Sequence, residues 1–373
     1  LTGTENPLGG IQVLDLGRFP PTAYCSRLLA QQGADVCRVD TPGSDPALFG
    51  IGTGLGAAKR SIALDARHPR RNEVLRKLCD WADVVVENSR PGELEERGFG
   101  YPQASEEHPE LIWCSITGFG QDGPYARWPG HDLTYTAHSG LLGALESEMP
   151  WHPQMMLSVP LGAVMAVVGI VSALYSRHAT GRGCQLDISL SESATWVLSG
   201  FDAMINSSGF SIPTSPDRRL YRCGDDRYVS VTAADPRSWE ALCTGLGLDD
   251  LAKRRIPGEE WPETTERLAE VFSRRSAAAW VADLGPRGAA VGAVNFGSDL
   301  PGDPQVQARR SLIDVDGVLV PTNPIRTGSD PEGIGQPPVG VPAVGEHTRS
   351  VLLEAGYGSP EIDRLMAEGV VSE

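Results

Sequence analysis

The sequence predicts an α/β protein, a mainly parallel sheet covered on both faces, followed by a second, smaller domain. Three observations carry that expectation. Short apolar runs alternate with helical patterns through the first half, the pattern that buries parallel strands between helices. The character changes near Ser207-Ser208-Gly209 and the prolines Pro213 and Pro216 that follow. A stretch rich in Pro and Gly from Pro321 then leads to a last helical segment that can return to the first domain.

Taken in order, Ile11-Gln12-Val13-Leu14-Asp15-Leu16 reads as a strand, and residues 22–32 as a helix ended by Gly33. Residues 35–40 and 62–65 are strands, 72–81 a helix, and 83–87 and 111–116 further strands. Beyond the break, 228–232 is a strand, 239–246 and 264–284 are helical, and 348–355 is the terminal helix. The expected domains are 1–205 completed by 325–373, and 206–324. Ligands on such sheets sit outside the carboxyl ends of the strands, and Arg90, Gly118 and His131 each follow an expected strand.

Composition narrows the function. A net charge of −16 excludes a phosphate-backbone partner, which needs a basic face, but leaves room for a local pocket holding one anion. The seven cysteines lack any C-x-x-C pair, so reduced, buried thiols in a cytoplasmic protein are expected rather than a disulfide or zinc framework. The histidines show no metal-ligand spacing, and no signal peptide is apparent. Residues 155–175 are almost wholly apolar; the small residues and the absence of a second such segment point to a buried core helix rather than a membrane span.

Several motifs compete for the chemistry. Gly50-Ile51-Gly52-Thr53-Gly54-Leu55-Gly56 lacks the strand before and helix after that a dinucleotide site requires, and reads as a loop. Lys59, Arg60, Arg67 and Arg90 stand at strand ends, where they either hold phosphate or are ordinary surface charge. Ser191 lacks the flanking glycines of a nucleophile elbow. Gly130-His131-Asp132 follows the glycine-rich run Gly118-Phe119-Gly120 and places a candidate base beside Tyr135.

Pro7-Leu8-Gly9-Gly10-Ile11-Gln12-Val13-Leu14-Asp15-Leu16, Gly33-Ala34-Asp35-Val36-Cys37-Arg38-Val39-Asp40, Lys59-Arg60-Ser61-Ile62-Ala63-Leu64-Asp65, Asn88-Ser89-Arg90-Pro91-Gly92, Thr117-Gly118-Phe119-Gly120, Thr180-Gly181-Arg182-Gly183 and Gly345-Glu346-His347-Thr348 together resemble the CaiB/BaiF family, the family III CoA-transferases. Gly130-His131-Asp132 is similar to its α-methylacyl-CoA racemase branch, as is the segment from Tyr221-Arg222-Cys223 to Ala234-Asp235-Pro236. The resemblance implies a large Rossmann-like domain, a smaller α+β domain and an interlocked homodimer, a heteromer with a homologue being the other assembly. It implies CoA or acyl-CoA as substrate and no tightly bound cofactor or metal. CoA is placed against Leu64, Asp65, Arg67, Asn88 and Arg90, with Gly130 and Tyr135 in the same set. His131 becomes the base, and Asp235, one methylene shorter than the usual glutamate, the acid that orients it. Backbone N–H groups of residues 130–132 would stabilise an enolate oxygen.

Two departures follow. Racemases usually have arginine where this chain has Thr41, a loss that Arg38 or Arg67 would have to offset. The family's carboxylate before the long apolar helix, proton donor or acyl-carrying nucleophile, falls on Val159, or on Ser158 with a small gap; His152 is the nearest other titratable group. Three functions stay open: one-base α-proton chemistry on an acyl-CoA, CoA transfer through an unexpected nucleophile, or a non-catalytic CoA-binding subunit paired with an active homologue.

Overall fold

The computed structural model describes residues 6–44, 53–145, 153–206, 214–254, 256–326 and 340–373. The chain divides into two compact units, residues 1–209 with 307–373, and residues 210–306.

The larger unit is built on a seven-stranded sheet. Its strands are β1 (Gln12–Asp15), β2 (Asp35–Asp40), β3 (Arg60–Leu64), β4 (Val84–Glu87), β5 (Ile112–Thr117) and β6 (Gln185–Ser189), with a C-terminal edge strand. The order is edge strand–β3–β2–β1–β4–β5–β6, and β1 to β6 are all parallel. Strand order therefore reverses between β1 and β4, the crevice where ligands of open α/β sheets bind.

Both faces are covered. On one side α1 (Pro20–Gln31) packs with a 23-residue apolar helix, while α2 (Arg71–Trp81) covers the other. Further along lie α3 (Asp132–His138), that long helix, α4 (Ser158–Thr180), and α5 (Leu190–Trp196). The expected buried core helix is α4, but it is buried on one face only. Small residues Ala163, Ala166 and Gly169 let it approach the sheet and Gly162 admits Leu190 of α5, while Val164, Val168 and Tyr175 (48, 56 and 82 % exposed) face outward. Its two faces differ in side-chain size, not polarity, so composition alone could not separate them. It is also the one described helix long and apolar enough to cross a membrane.

The smaller unit has β7 (Arg218–Arg222), β8 (Tyr228–Thr232) and β9 (Val291–Ala293) in an antiparallel sheet. It is covered by α6 (Pro236–Leu246), α7 (Trp261–Phe272) and α8 (Ala277–Leu284) around Tyr221, Trp239, Phe272 and Trp280. The single helical stretch expected over 264–284 is two helices. Ser276 caps α8, accepting from the Ala279 amide, and so ends the first helix before it.

The chain re-enters the larger unit before 325. Hairpin β10 (Leu312–Val315) and β11 (Val318–Pro321) buries Val315 and Val320 against Ala57. Then α9 (Thr348–Glu354) and α10 (Ser359–Ala367) cover the α2 face, and β12 (Val371–Ser372) closes the sheet edge, antiparallel to β3.

Lys59 and Arg60 lie at the amino end of β3, away from the strand ends that carry ligands, and neither is free to hold phosphate. Lys59 is fully buried. Its Nζ lies 2.7 Å from Ser26 Oγ, 3.1 Å from the Ala23 carbonyl and 3.7 Å from Asp15 Oδ2. Burial pulls its pKa down to about 8, against the attraction of Asp15. Arg60 forks onto Glu354 at 2.7 Å on both arms and reaches Asp35 at 3.0 Å, tying α9 to the sheet. Removing one partner of a buried ion pair leaves the other charge dry. Lys59→Met is therefore expected to cost about 3–5 kcal/mol in urea unfolding; a loss below about 1 kcal/mol, the surface-pair range, would show that the pair does not hold β1 to α1.

Candidate active site

Three cavities with shared walls open at the carboxyl ends of β1 to β5. The inner one, about 440 Å³, lies at the strand-order reversal and is lined by Leu16, Arg18, Thr41, Leu64, Arg71, Asn88, Arg90 and Arg97, among others. An outer one, about 830 Å³, shares Arg18, Thr41, Arg71 and Arg97 with it and adds Asp65 and Arg67. The third, about 710 Å³, shares Phe19, Asn88, Ser89 and Arg90 with the inner cavity and contains His131. The loops after β1 and β4 meet where these walls join, the Arg18 amide donating to Asn88 Oδ1 at 3.2 Å.

The first two cavities are strongly cationic. Among the described residues Arg18, Arg67, Arg71 and Arg90 make no ion pair, whereas Arg97 and Arg127 pair with Glu93 and Glu96. Partial burial, with Arg97 and Arg18 nearby, pushes the Arg71 pKa down, although Asp40 and Glu93 line the inner cavity and Asp65 the outer one. Such a cluster suits phosphate groups. Arg67, Arg90, Asn88, Asp65 and Leu64 all line these two cavities. Arg18 and Arg71 were missed. Arg18 follows β1 by three residues, the same signal that picked out Arg90. Thr41 lines both cavities, with Arg18 and Arg71 in each and Arg67 in the outer one, so these are cations around the missing arginine. Arg38 is not one of them: it is buried, with Nε on Asp40 at 2.7 Å.

His131 stands at the N-cap of α3 with extended backbone (φ −132°, ψ 177°) and an exposed side chain. Two ties hold its flanks. Tyr135 Oη donates to the Gly130 carbonyl at 2.5 Å. A Cβ on Gly118 or Gly130 would come within 2.2 or 2.6 Å of the Tyr135 ring, so only glycine admits it there. On the other flank the Asp132 carboxylate crosses to the start of α4. It accepts from the Leu157 amide (2.9 Å), the Val159 amide (2.8 Å) and Ser158 Oγ (2.9 Å). The α4 helix has no side-chain cap of its own and no acid in its first turn.

Val159 lines the histidine cavity, whereas Ser158 is fully buried with its hydroxyl turned to Asp132. Phe19, Trp128, Tyr135, Met156 and Leu190 give that cavity its apolar wall, beside the polar Asn88, Ser89, Arg90, Thr117, Asp132 and Thr134. His152 and Gly50 to Gly52 lie outside the described residues; Thr53–Gly56 forms a single helical turn.

The other candidates are engaged in contacts of their own. His138 Nδ1 lies 2.8 Å from Ser191 Oγ, but Ser191 is 3 % exposed and lines none of the three cavities, so the pair ties α3 to α5. Asp235 belongs to the smaller unit. It caps α6, accepting from the Arg237 and Ser238 amides at 3.0 Å and from Ser238 Oγ, bonds that pull its pKa down. Glu87, buried at the end of β4, accepts from the Ser89 amide at 2.6 Å and shapes the Asn88–Arg90 loop; burial pushes its pKa up. All seven cysteines are free and six are buried. Among the described residues no group of three His, Cys, Asp or Glu side chains is placed to hold a metal.

Fold and site together define an α/β protein in which an arginine-lined groove leads to a histidine. The chain belongs to CoA-transferase family III, whose model matches residues 8–348. It is 31% identical to alpha-methylacyl-CoA racemase of Homo sapiens, covering 98% of this chain and 97% of that one. It is 29% identical to the succinyl-CoA–L-malate CoA-transferase beta subunit of Chloroflexus aurantiacus, covering 99% of each. A crystal structure of a CaiB/BaiF family protein from Brucella suis superposes with a TM-score of 0.82 at 27% identity, over 94% of this chain and all of the other.

Proposed function

We propose that the protein binds an acyl-CoA thioester and moves the proton on the carbon beside the thioester, with His131 as the base. The observation that carries this reading is the make-up of the histidine cavity. His131 is its exposed proton acceptor, Val159 replaces the second acid, and the carboxylate of Asp132 is occupied as a helix cap. The arginine groove takes the CoA phosphates, and the acyl end passes Arg90 toward the imidazole. The backbone N–H groups of residues 130–132 would steady the enolate oxygen. With one base and no acid opposite, the proton leaves and returns on the same face. The family supports an acyl-CoA enzyme; isomerisation or a related one-base reaction is this proposal's finer part, epimerisation needing a substitute acid on the other face.

The test is incubation with a 2-methylacyl-CoA in deuterium oxide. NMR should show α-proton exchange with the configuration retained, and absence of exchange would sink the reading. The phosphate groove has its own test. Arg18→Ala or Arg71→Ala is expected to weaken CoA binding about ten- to hundredfold in calorimetry, the worth of a hydrogen bond to a charged group. The wild-type affinity should also fall more steeply with salt; an unchanged affinity would place the phosphates elsewhere.

An orienting role for Asp235 on the imidazole of the other copy, and an interlocked homodimer, belong to the same proposal; sedimentation gives the assembly. Relatives named as subunits favour a second reading, a CoA-binding chain that works beside a homologue. Co-purification of a homologous chain, with no exchange by this one alone, would establish it.

A further inference from the structure

At the start of α4 a carboxylate is present, but it comes from α3. Asp132 Oδ1 accepts from the Val159 amide at 2.8 Å and lies 2.9 Å from Ser158 Oγ. Its Oδ2 accepts from the Leu157 amide at 2.9 Å and from Thr136 Oγ1 at 3.3 Å. Two donors thus face each oxygen, although the single Ser158 hydroxyl proton also has the Asp132 carbonyl within 3.1 Å. Protonating such a carboxylate would turn an acceptor into a donor facing N–H groups. The same residue follows His131 directly, and both line one cavity with Val159 and Met156.

We propose that Asp132 is a positioning residue for His131: its carboxylate fastens the segment carrying the imidazole to the helix start that forms the facing wall, and it carries no proton itself. The inference rests on His131 being the base. It differs from a plain helix cap in what it joins. An N-cap within α4 would stabilise the helix alone, whereas this one fixes the distance between the base and the wall against which the acyl group lies. A reacting geometry loosened by about 1 Å can lose about a hundredfold in rate. The phosphate groove lies after β1 to β4 and does not include Asp132, so CoA binding is separable from this effect.

The experiment compares the full-length chain with Asp132→Asn and Ser158→Ala. Asn keeps one acceptor oxygen but points an NH2 at a backbone amide; Ser158→Ala removes one donor and leaves the carboxylate and both amide bonds. For Asp132→Asn, kcat for α-proton exchange should fall about 30- to 100-fold. KM should stay within about threefold, the pattern of lost transition-state geometry rather than lost binding. The pH–rate profile should keep every limb seen in the wild type. For Ser158→Ala the fall in kcat should be about three- to tenfold, one hydrogen bond's worth. Amide hydrogen exchange at Leu157 and Val159 should rise in Asp132→Asn.

Loss of a limb of the pH profile in Asp132→Asn would overturn the proposal, because the carboxylate would then be carrying a proton. An unchanged kcat in a folded variant would overturn it too, reducing Asp132 to a cap. Should the wild type exchange no α-proton at all, the base assignment fails and the positioning role with it. Amide protection still separates the two failures, since faster exchange at Leu157 and Val159 in Asp132→Asn would leave the tie itself standing.

Discussion

His131→Ala is expected to reduce α-proton exchange on an acyl-CoA by about a thousandfold, within the range that a positioned general base contributes. CoA affinity should change by less than about threefold, because the side chain lost does not line the arginine groove. The size of the effect follows from what else surrounds the acyl end. Its other lining side chains are apolar, apart from Asn88, Ser89, Arg90, Thr117, Asp132, Thr134 and the Tyr135 hydroxyl. Arginine stays protonated at any working pH and cannot act as a base. Asp132 is held by donors from α4, and the Tyr135 hydroxyl is bonded to the Gly130 carbonyl, with its pKa pushed up by burial. Removing the imidazole therefore leaves water to take the proton. His138 offers no substitute, because it faces Ser191 and the rings of Phe119 and Tyr125. The readout is deuterium incorporation by NMR beside calorimetry with CoA. Exchange within about tenfold of wild type would show that another group is the base.

The parts of the fold legible in the sequence are those where one physical signal acts alone. Strands β1 to β5 are short apolar runs bounded by turns, and each was expected to within about two residues, because burial on both faces leaves little else for Val13-Leu14 or Val84-Val85-Val86 to do. The carboxyl-end rule then located His131, Gly118 and Arg90 together. What stayed hidden depends on partners far along the chain. Lys59 and Arg60 carry the same charge as Arg67, and only folding shows Lys59 beside Asp15 and Arg60 beside Glu354, almost three hundred residues on. Arg18 and Arg71 meet around Thr41 because β1, β2 and β3 are neighbours, an order that local pattern does not contain. In the sequence Asp132 is simply the end of a histidine motif. Its bonds to Leu157, Ser158 and Val159 span about 25 residues, and no periodicity announces them.

Val159→Asp is expected to add inversion to the exchange. The valine side chain lines the histidine cavity and is 4 % exposed, so an aspartate there enters the space facing the acyl group with little change of volume. Two effects raise its pKa. Burial disfavours the ion, and the Asp132 carboxylate, bonded to the Val159 amide at 2.8 Å, repels a second negative charge. The N-terminus of α4 pulls the other way, favouring the anion by about 0.3–1 kcal/mol, but Asp132 already occupies that end. Burial of a carboxyl can move its pKa by up to about 3–5 units, so the raising effects win and a substantial share stays protonated near neutral pH. A protonated acid across from the imidazole can return a proton to the face that His131 does not serve. Starting from one configuration of a 2-methylacyl-CoA, the wild type should incorporate deuterium with retention. Val159→Asp should yield both configurations, seen by chiral chromatography of the hydrolysed acid. The substitution should lower stability by about 1–3 kcal/mol, the cost of burying an incompletely bonded polar group. Val159→Asn has the same shape and no proton to give, so it should exchange without inverting. If Val159→Asp exchanges but never inverts, position 159 does not face the imidazole across the substrate, and the one-base reading loses its structural cause.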